Sequence, residues 1–357
     1  MVEDAITRVM QILNEYYAGE LGNPYFGSVD YVPIEFHHEN FHKIPKINLE
    51  ENDIRMVAVD GGNHEIISTP GISVSLIRVS AIGFRGKKRE KLQLPGRIEV
   101  FCIAKSELES GKIKYCAEYF PASSEECFLR ECKIGSENFE GIERVLDFNL
   151  RPLSVVSGIA RKYAEWFYIE RLLNELGDGD VIIKDGVFQY SDDFEAEIGA
   201  QVCEKALKKG ITVTGLAKTT TLITTTGLPL PLAIQALADK YCIASPWYYF
   251  PLVACQNQKS DIYLAKFHEN SEYIFRFDVM QNTLRHSVET ILGILRGMSA
   301  NCIFPGYPYN LLLADKMARV EEKECKSLYY RFLSTSKNRR IQIAMRALDA
   351  HDIISKY

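Results

Sequence analysis

The sequence predicts an α/β fold, a mixed sheet flanked by helices, with insertions and terminal helices. Three observations predict it. Two apolar runs, Ile54-Arg55-Met56-Val57-Ala58-Val59 and Val181-Ile182-Ile183-Lys184, lead into Asp60-Gly61-Gly62 and Asp185-Gly186, and a β-branched run that stops at glycine reads as a buried strand. Between them, Leu153 to Leu176 reads as one long helix, closed by Gly177-Asp178-Gly179. The composition, 46% hydrophobic and 25% charged over 357 residues, supplies ample core for one large globular domain.

Taken in order, residues 3–18 space Ile6, Val9, Met10, Leu13 and Tyr17 as an amphipathic helix. Residues 19–50 read as loop, punctuated by Pro24, Pro33 and Pro45. They contain His37-His38, a poor metal pair because neighbours on an extended chain point opposite ways. Strands follow at 54–60, Ile72 to Ile82 and Arg97 to Ala104, an antiparallel meander with a basic stripe in one connection. Residues 105–150 are Glu-rich, with a strand fragment at Tyr115–Phe120 and a helix near 137–147. After the long helix come the second acidic strand at 180–185 and a helix at 193–209 ended by Gly210. A strand from Ile211 to Leu216 then reaches Lys218 and a Thr-rich segment. Trp247-Tyr248-Tyr249-Phe250 and the runs 261–267 and 272–279 read as a late hairpin, and helices at 284–298, 308–323 and 337–354 finish the chain. No repeat, low-complexity tract or linker interrupts this series. The expected organisation is an N-terminal helix-and-loop extension over 1–52, a core over 53–322 and a basic helical segment over 323–357.

A net charge of −5 excludes a uniformly basic nucleic-acid binder, but two stripes stand out. Phe84 to Arg97 carries Arg85, Lys87, Lys88, Arg89, Lys91 and Arg97 against Glu90, and Lys326 to Arg346 carries six cations and no acid. Either stripe can be a solvated face or a contact for the DNA backbone. The nine cysteines are scattered and odd in number, the usage of a reducing cytoplasm. Cys127 and Cys132 lack a second pair at zinc spacing. Neither a signal pattern nor an apolar run of roughly 18 residues appears, so a cytoplasmic protein that does not cross the membrane is expected.

The order of acids carries the chemistry. Asp60 on a first strand, further strands, a Glu-bearing helix, Asp185 on another strand and Asp315 on a late helix is the order of a ribonuclease-H-like core. Each Asp-Gly taken alone is also a good hairpin turn. Taken together, clustered carboxylates repel one another unless a cation neutralises them, and oxygen ligands select Mg2+ or Mn2+. Two such ions about 4 Å apart can hold both oxygens of a phosphodiester displacement. No Walker motif suggests an ATPase. On the long helix Glu165, Glu170 and Glu175 compete for the third acid. Glu170 is preferred because its neighbours Ile169, Leu172 and Leu173 are apolar, with Glu165 in reserve. Arg161, one turn before Glu165, can meet a phosphate.

These residues resemble the NurA family of nucleases, which work with the HerA DNA translocase. The matching pieces are Val57-Ala58-Val59-Asp60-Gly61-Gly62, Glu170-Arg171-Leu172-Leu173, Ile182-Ile183-Lys184-Asp185-Gly186, Gly215-Leu216-Ala217-Lys218-Thr219, Gly306-Tyr307-Pro308-Tyr309 and Ala314-Asp315-Lys316-Met317-Ala318-Arg319. The resemblance implies a ribonuclease-H-like, Mn2+- or Mg2+-dependent deoxyribonuclease with two ions. It implies 5′–3′ exonuclease and single-strand endonuclease activity in the resection of DNA ends for recombinational repair. It also implies a homodimer and a HerA-type hexameric ATPase as partner. By the same resemblance Asp60, Glu170 and Asp185 are metal ligands, Tyr307 and Asp315 are catalytic, and Lys218 contacts phosphate. At Asp315 the family more often has His. Arg161, Arg339 and Arg340 complete the expected DNA contacts. Two other functions fit the residues: a non-catalytic DNA-binding scaffold of a translocase complex, and a ribonuclease-H-like enzyme on RNA or junctions.

Overall fold

The computed structural model describes residues 2–26, 31–69, 71–109, 112–122, 133–134, 153–255, 260–280, 284–301 and 304–354. The chain forms two compact units. One comprises Asp53–Asp185, Gln189–Val213 and Asn310–Tyr357, the other Met1–Asn52, Gly186–Phe188 and Thr214–Tyr309.

In the first unit, β1 (Arg55–Ser68), β2 (Ile72–Arg85), β3 (Arg97–Glu109) and β4 (Lys112–Pro121) form the expected antiparallel meander, with longer strands than the sequence suggested. Helix α1 (Leu153–Leu172) follows, then β5 (Val181–Asp185), which pairs in parallel with β1 from Val181↔Met56 to Lys184↔Val59. Helix α2 (Asp193–Lys209) leads to β6 (Thr212–Ala217), whose Thr212 N–H donates to Asp180 O at 2.9 Å. The order β3-β2-β1-β5 is an antiparallel meander joined to a parallel crossover strand, as in a ribonuclease-H-like core. The sheet is built from Val and Ile runs because both its faces are covered: Met56, Val57, Ala58 and Val59 are each wholly buried.

Helix α1 is buried along most of its length, from Leu153 through Ala160, Trp166 and Ile169 to Leu172. It stops four residues short of the expected Leu176. Asn174 and Glu175 bond back three residues, to Arg171 and Leu172, and tighten the end into a turn. The Glu175 carboxylate is taken by the amides of Gln93 and Leu94 at 2.6 and 3.1 Å. Helix α2 has the expected bounds: the Asp192 side chain accepts from Glu195 N, and Gly210 caps the far end at φ 70.

The region expected as one helix over 308–323 is two, α3 (Tyr309–Ala318) and α4 (Glu322–Thr335), followed by α5 (Arg339–Ile354). The break has a tertiary cause. Arg78 on β2, 5% exposed, donates to the Arg319 carbonyl and pairs with Glu324 at 2.6 Å and Glu99 at 2.8 Å. Burial alone would lower the Arg78 pKa, but the bonds to Glu324 and Glu99 outweigh it and hold the guanidinium above its ordinary range. The stripe after Phe84 is part strand: Lys88–Glu90 folds back on β2, and Glu90 is taken by Arg55 and Arg85 at 3.0 and 2.8 Å.

In the second unit, Thr214 to Ala217 pairs antiparallel with Phe275–Met280, which pairs with Ser260–Lys266, the expected late hairpin. Trp247–Tyr249 and Phe41–Lys43 extend it. Leu230, Ile234, Trp247, Tyr249, Leu252 and Leu264 form its core. The N-terminal helix Val2–Tyr17 has the expected apolar spacing, yet none of its residues is buried. His37 and His38 do not diverge as expected: their rings stack at 4.9 Å, because His38–Asn40 is a 3-10 turn and not extended chain. The expected helix near 137–147, together with Cys127 and Cys132, lies outside the described residues. Among the described residues no helix is long and apolar enough to cross a membrane.

Candidate metal centre

Strand register builds the site. In the parallel pair Lys184 lies beside Val59, so the next residues, Asp185 and Asp60, fall side by side and on one face of the sheet. Helix α3 brings a third acid to that face. One carboxylate oxygen from each of Asp60, Asp185 and Asp315 lies within 4.8 Å of the others, with Asp60 buried and the other two half-buried. The Asp60 carboxylate also accepts from the Gly61 amide at 2.7 Å.

Asp60 does not end its strand, as the sequence suggested. The ladder runs on through Asp60↔Ser80, Gly61↔Val79 and Gly62↔Arg78. Asp60-Gly61-Gly62 is therefore no turn, and its glycines serve close approach. A Cβ at Gly62 would lie 2.3 Å from the Ala318 carbonyl oxygen, at the end of the helix that carries Asp315. Ser80, opposite Asp60, donates to Ala314 O on the same helix at 2.8 Å. Successive residues alternate faces, so Gly61 looks the other way, toward α1. There a Cβ would lie 2.4 Å from Glu165 Oε1.

Glu165 is fully buried and held by two cations. Arg161, one turn earlier, binds its Oε1, and Lys184 Nζ stands 2.5 Å from its Oε2. Arg161 also donates to Gly61 O at 3.1 Å, and Lys184 to Asp185 O at 3.3 Å.

The two competing glutamates of α1 have different surroundings. Glu170 is one-third exposed and pairs with Lys205 of α2. Five residues turn a helix by about 140° beyond a full circle, so Glu170 cannot share the face of Glu165. Glu165 follows the wholly buried Ala164, one turn after the wholly buried Ala160, on the inner side of α1. Arg161 is likewise engaged by Glu165 and Gly61, with 23% of its side chain exposed. Asp315 pairs with Arg319 at 3.1 Å, the ordinary helix-surface contact, while also joining the aspartate group. Arg339 and Arg340 are exposed at the start of α5.

Lys218 and Tyr307 belong to the second unit. Lys218 Nζ lies 5.7 Å from the Tyr307 ring centroid. Tyr307 is 2% exposed and packs on Phe275. Gly306, at φ +97, makes the turn before it. The same unit hides another acid that the sequence reading missed, Asp278. Burial pushes its carboxyl up, against Arg276 at 2.8 Å and the Phe188 amide at 3.1 Å, which account for it structurally.

The donor set of the aspartate group is all oxygen, the set that suits a hard divalent cation. A single ion with bonds near 2.1 Å spans about 4 Å between opposite ligands, compatible with the 4.8 Å spread. Among the described residues this is the one group of three or more His, Cys, Asp or Glu side chains so placed.

Comparison with known proteins adds a family. The NurA domain family matches residues 54–320. No curated protein matches the chain. Among solved structures the chain is similar to Ciona intestinalis Endonuclease V in complex with a 24mer DNA containing an inosine followed by a ribo-adenosine, at 14% identity and TM-score 0.39, covering 91% of this chain and 99% of that one. It is similar to the catalytic domain of human Endonuclease V at 12% identity and TM-score 0.35, covering 91% and 98%. For Aquifex aeolicus Argonaute the values are 11% and 0.30, covering 75% of this chain and 28% of that one.

The glycine geometry has a direct consequence. Gly62→Ala must displace the end of α3 by its backbone, and should cost about 2 kcal/mol or more by overpacking. Urea unfolding measures it; a loss below about 0.5 kcal/mol, the range of ordinary surface changes, would show that the helix does not press on Gly62.

Proposed function

The chain belongs to the NurA family, and on that footing we propose that it is a divalent-metal-dependent DNA nuclease that hydrolyses phosphodiester bonds. The observation that carries this reading is the convergence of Asp60, Asp185 and Asp315 from two strands and a helix, with oxygens within 4.8 Å. Mn2+ or Mg2+ held by these carboxylates, one ion or a pair, supplies the positive charge that a scissile phosphate needs. The chain's own contribution is placement. Adjacent register fixes Asp60 against Asp185, and the close seat of α3 on Gly62 fixes Asp315. A scaffold protein would gain nothing from gathering three mutually repelling acids, which favours the enzyme over the DNA-binding scaffold.

Several finer features belong to the same proposal. Asp315 serves where the family more often has His, since Asp also binds a hard cation. By the family pattern Lys218 binds phosphate and Tyr307 is an active-site tyrosine, the lysine ammonium lying 5.7 Å from the tyrosine ring centroid. Arg161 is a weaker phosphate contact than the sequence suggested, since Glu165 occupies it. Arg339 and Arg340 bind the DNA backbone from the first turn of α5. By family, the enzyme works as a cytoplasmic homodimer with a HerA-type hexameric ATPase, cutting 5′ to 3′ and nicking single strands in the resection of DNA ends for recombinational repair.

Asp60→Asn and Asp185→Asn should each lower Mn2+-dependent cleavage of end-labelled DNA at least about 100-fold. Circular dichroism should stay native, because removing a like charge relieves repulsion. Asp315→Ala should also slow turnover strongly. Wild-type rates in Asp60→Asn or Asp185→Asn would remove the basis for the metal site, and wild-type rates in Asp315→Ala would leave Asp315 as helix surface.

Charge reversal at Arg339 and Arg340 tests the DNA contact separately. Each duplex phosphate released flattens the dependence of log affinity on log salt by about 0.9. The double Glu variant should therefore bind duplex DNA more weakly with a shallower slope, and an unchanged slope would exclude this helix from the DNA path.

A further inference from the structure

Glu165 and Lys184, buried on the other face of β1, have no part in the mechanism above. Glu165 is 0% and Lys184 5% exposed, and Arg161 stands beside them on α1. Resting on the metal reading of the aspartate group, we propose that Lys184 is a positioning residue that, with Arg161, sets how tightly that group holds its cation.

The geometry is specific. Lys184 Nζ is fixed from three sides: Glu165 Oε2 at 2.5 Å, Asp185 O at 3.3 Å and the Trp166 ring centroid at 5.9 Å. Arg161 is fixed between Glu165 Oε1 and Gly61 O. Each cation thus touches the backbone at or next to a metal-site aspartate, Lys184 at Asp185 itself and Arg161 at the residue after Asp60. Two cations against one carboxylate leave the cluster at +1. Away from water that charge is weakly screened. It opposes the negative potential of the three aspartates, so the cation is bound less tightly than by the aspartates alone.

A purely structural ion pair makes the opposite forecast. Breaking a buried pair loosens its surroundings, and a loosened site binds its ion more weakly. The sign of the change therefore separates the two roles.

The measurement is Mn2+ affinity of the full chain without DNA, read from the electron paramagnetic resonance of free Mn2+. Lys184→Met should tighten binding about ten-fold, the scale of one charge in a partly buried site. Arg161→Met should shift it the same way, and because Arg161 is partly exposed this variant answers the question even where Lys184→Met fails to fold. Lys184→Arg, which keeps the charge, should restore wild-type affinity. Glu165→Gln should weaken binding, since it strips the acid and leaves both cations. Weaker or unchanged Mn2+ binding in Lys184→Met and Arg161→Met would overturn the inference. A wild-type chain that binds no Mn2+ would overturn the metal reading itself, a result distinct from wild-type binding that the cation variants leave unmoved.

Discussion

The constraint on which the rest depends is the absence of side chains at Gly61 and Gly62. A strand normally keeps a helix at the distance its side chains impose. Here one glycine on each face of β1 lets a helix come nearer: α1 with Glu165 at Gly61, and α3 with Ala318 at Gly62. Asp60, just before these glycines, faces α3 and lies beside the Asp185 that β5 delivers. A side chain at Gly62 would push α3, and with it Asp315, away from Asp60 and Asp185.

Charge then divides between the two faces. One gathers Asp60, Asp185 and Asp315, the other buries Glu165 between Lys184 and Arg161. Buried ion pairs add little net stability, because desolvation consumes much of their attraction. Their presence beside an acidic cluster fits an electrostatic role better than a stabilising one. Arg78 is the structural counterpart. By engaging Glu99, Glu324 and the Arg319 carbonyl it ties β2 and β3 to α4 and ends α3 at the point where Gly62 needs it to end.

Much of this was legible in the sequence, and the failures share a cause. The meander, β5, the capped α2 and both aspartates follow from local patterns: apolar runs, glycine stops and an Asp N-cap. What is set by contact between distant segments was not. Glu170 looked buried by its neighbours, but its side chain emerges toward Lys205, while Glu165 takes the inner face beside Ala164. Asp60-Gly61-Gly62 looked like a strand end because glycine usually weakens a strand, and only the approach of two helices shows its use. The break between α3 and α4 carries no glycine or proline at Arg319-Val320-Glu321, and its cause sits some 240 residues away at Arg78.

The most direct test of the central claim, that three aspartates from three elements form a cation site, is anomalous diffraction near the manganese absorption edge from crystals of the chain grown with Mn2+. The account predicts a manganese peak within bonding distance, about 2.1 Å, of oxygens from Asp60, Asp185 and Asp315. A peak at Glu170, or full Mn2+ loading with no peak among the three aspartates, would contradict it.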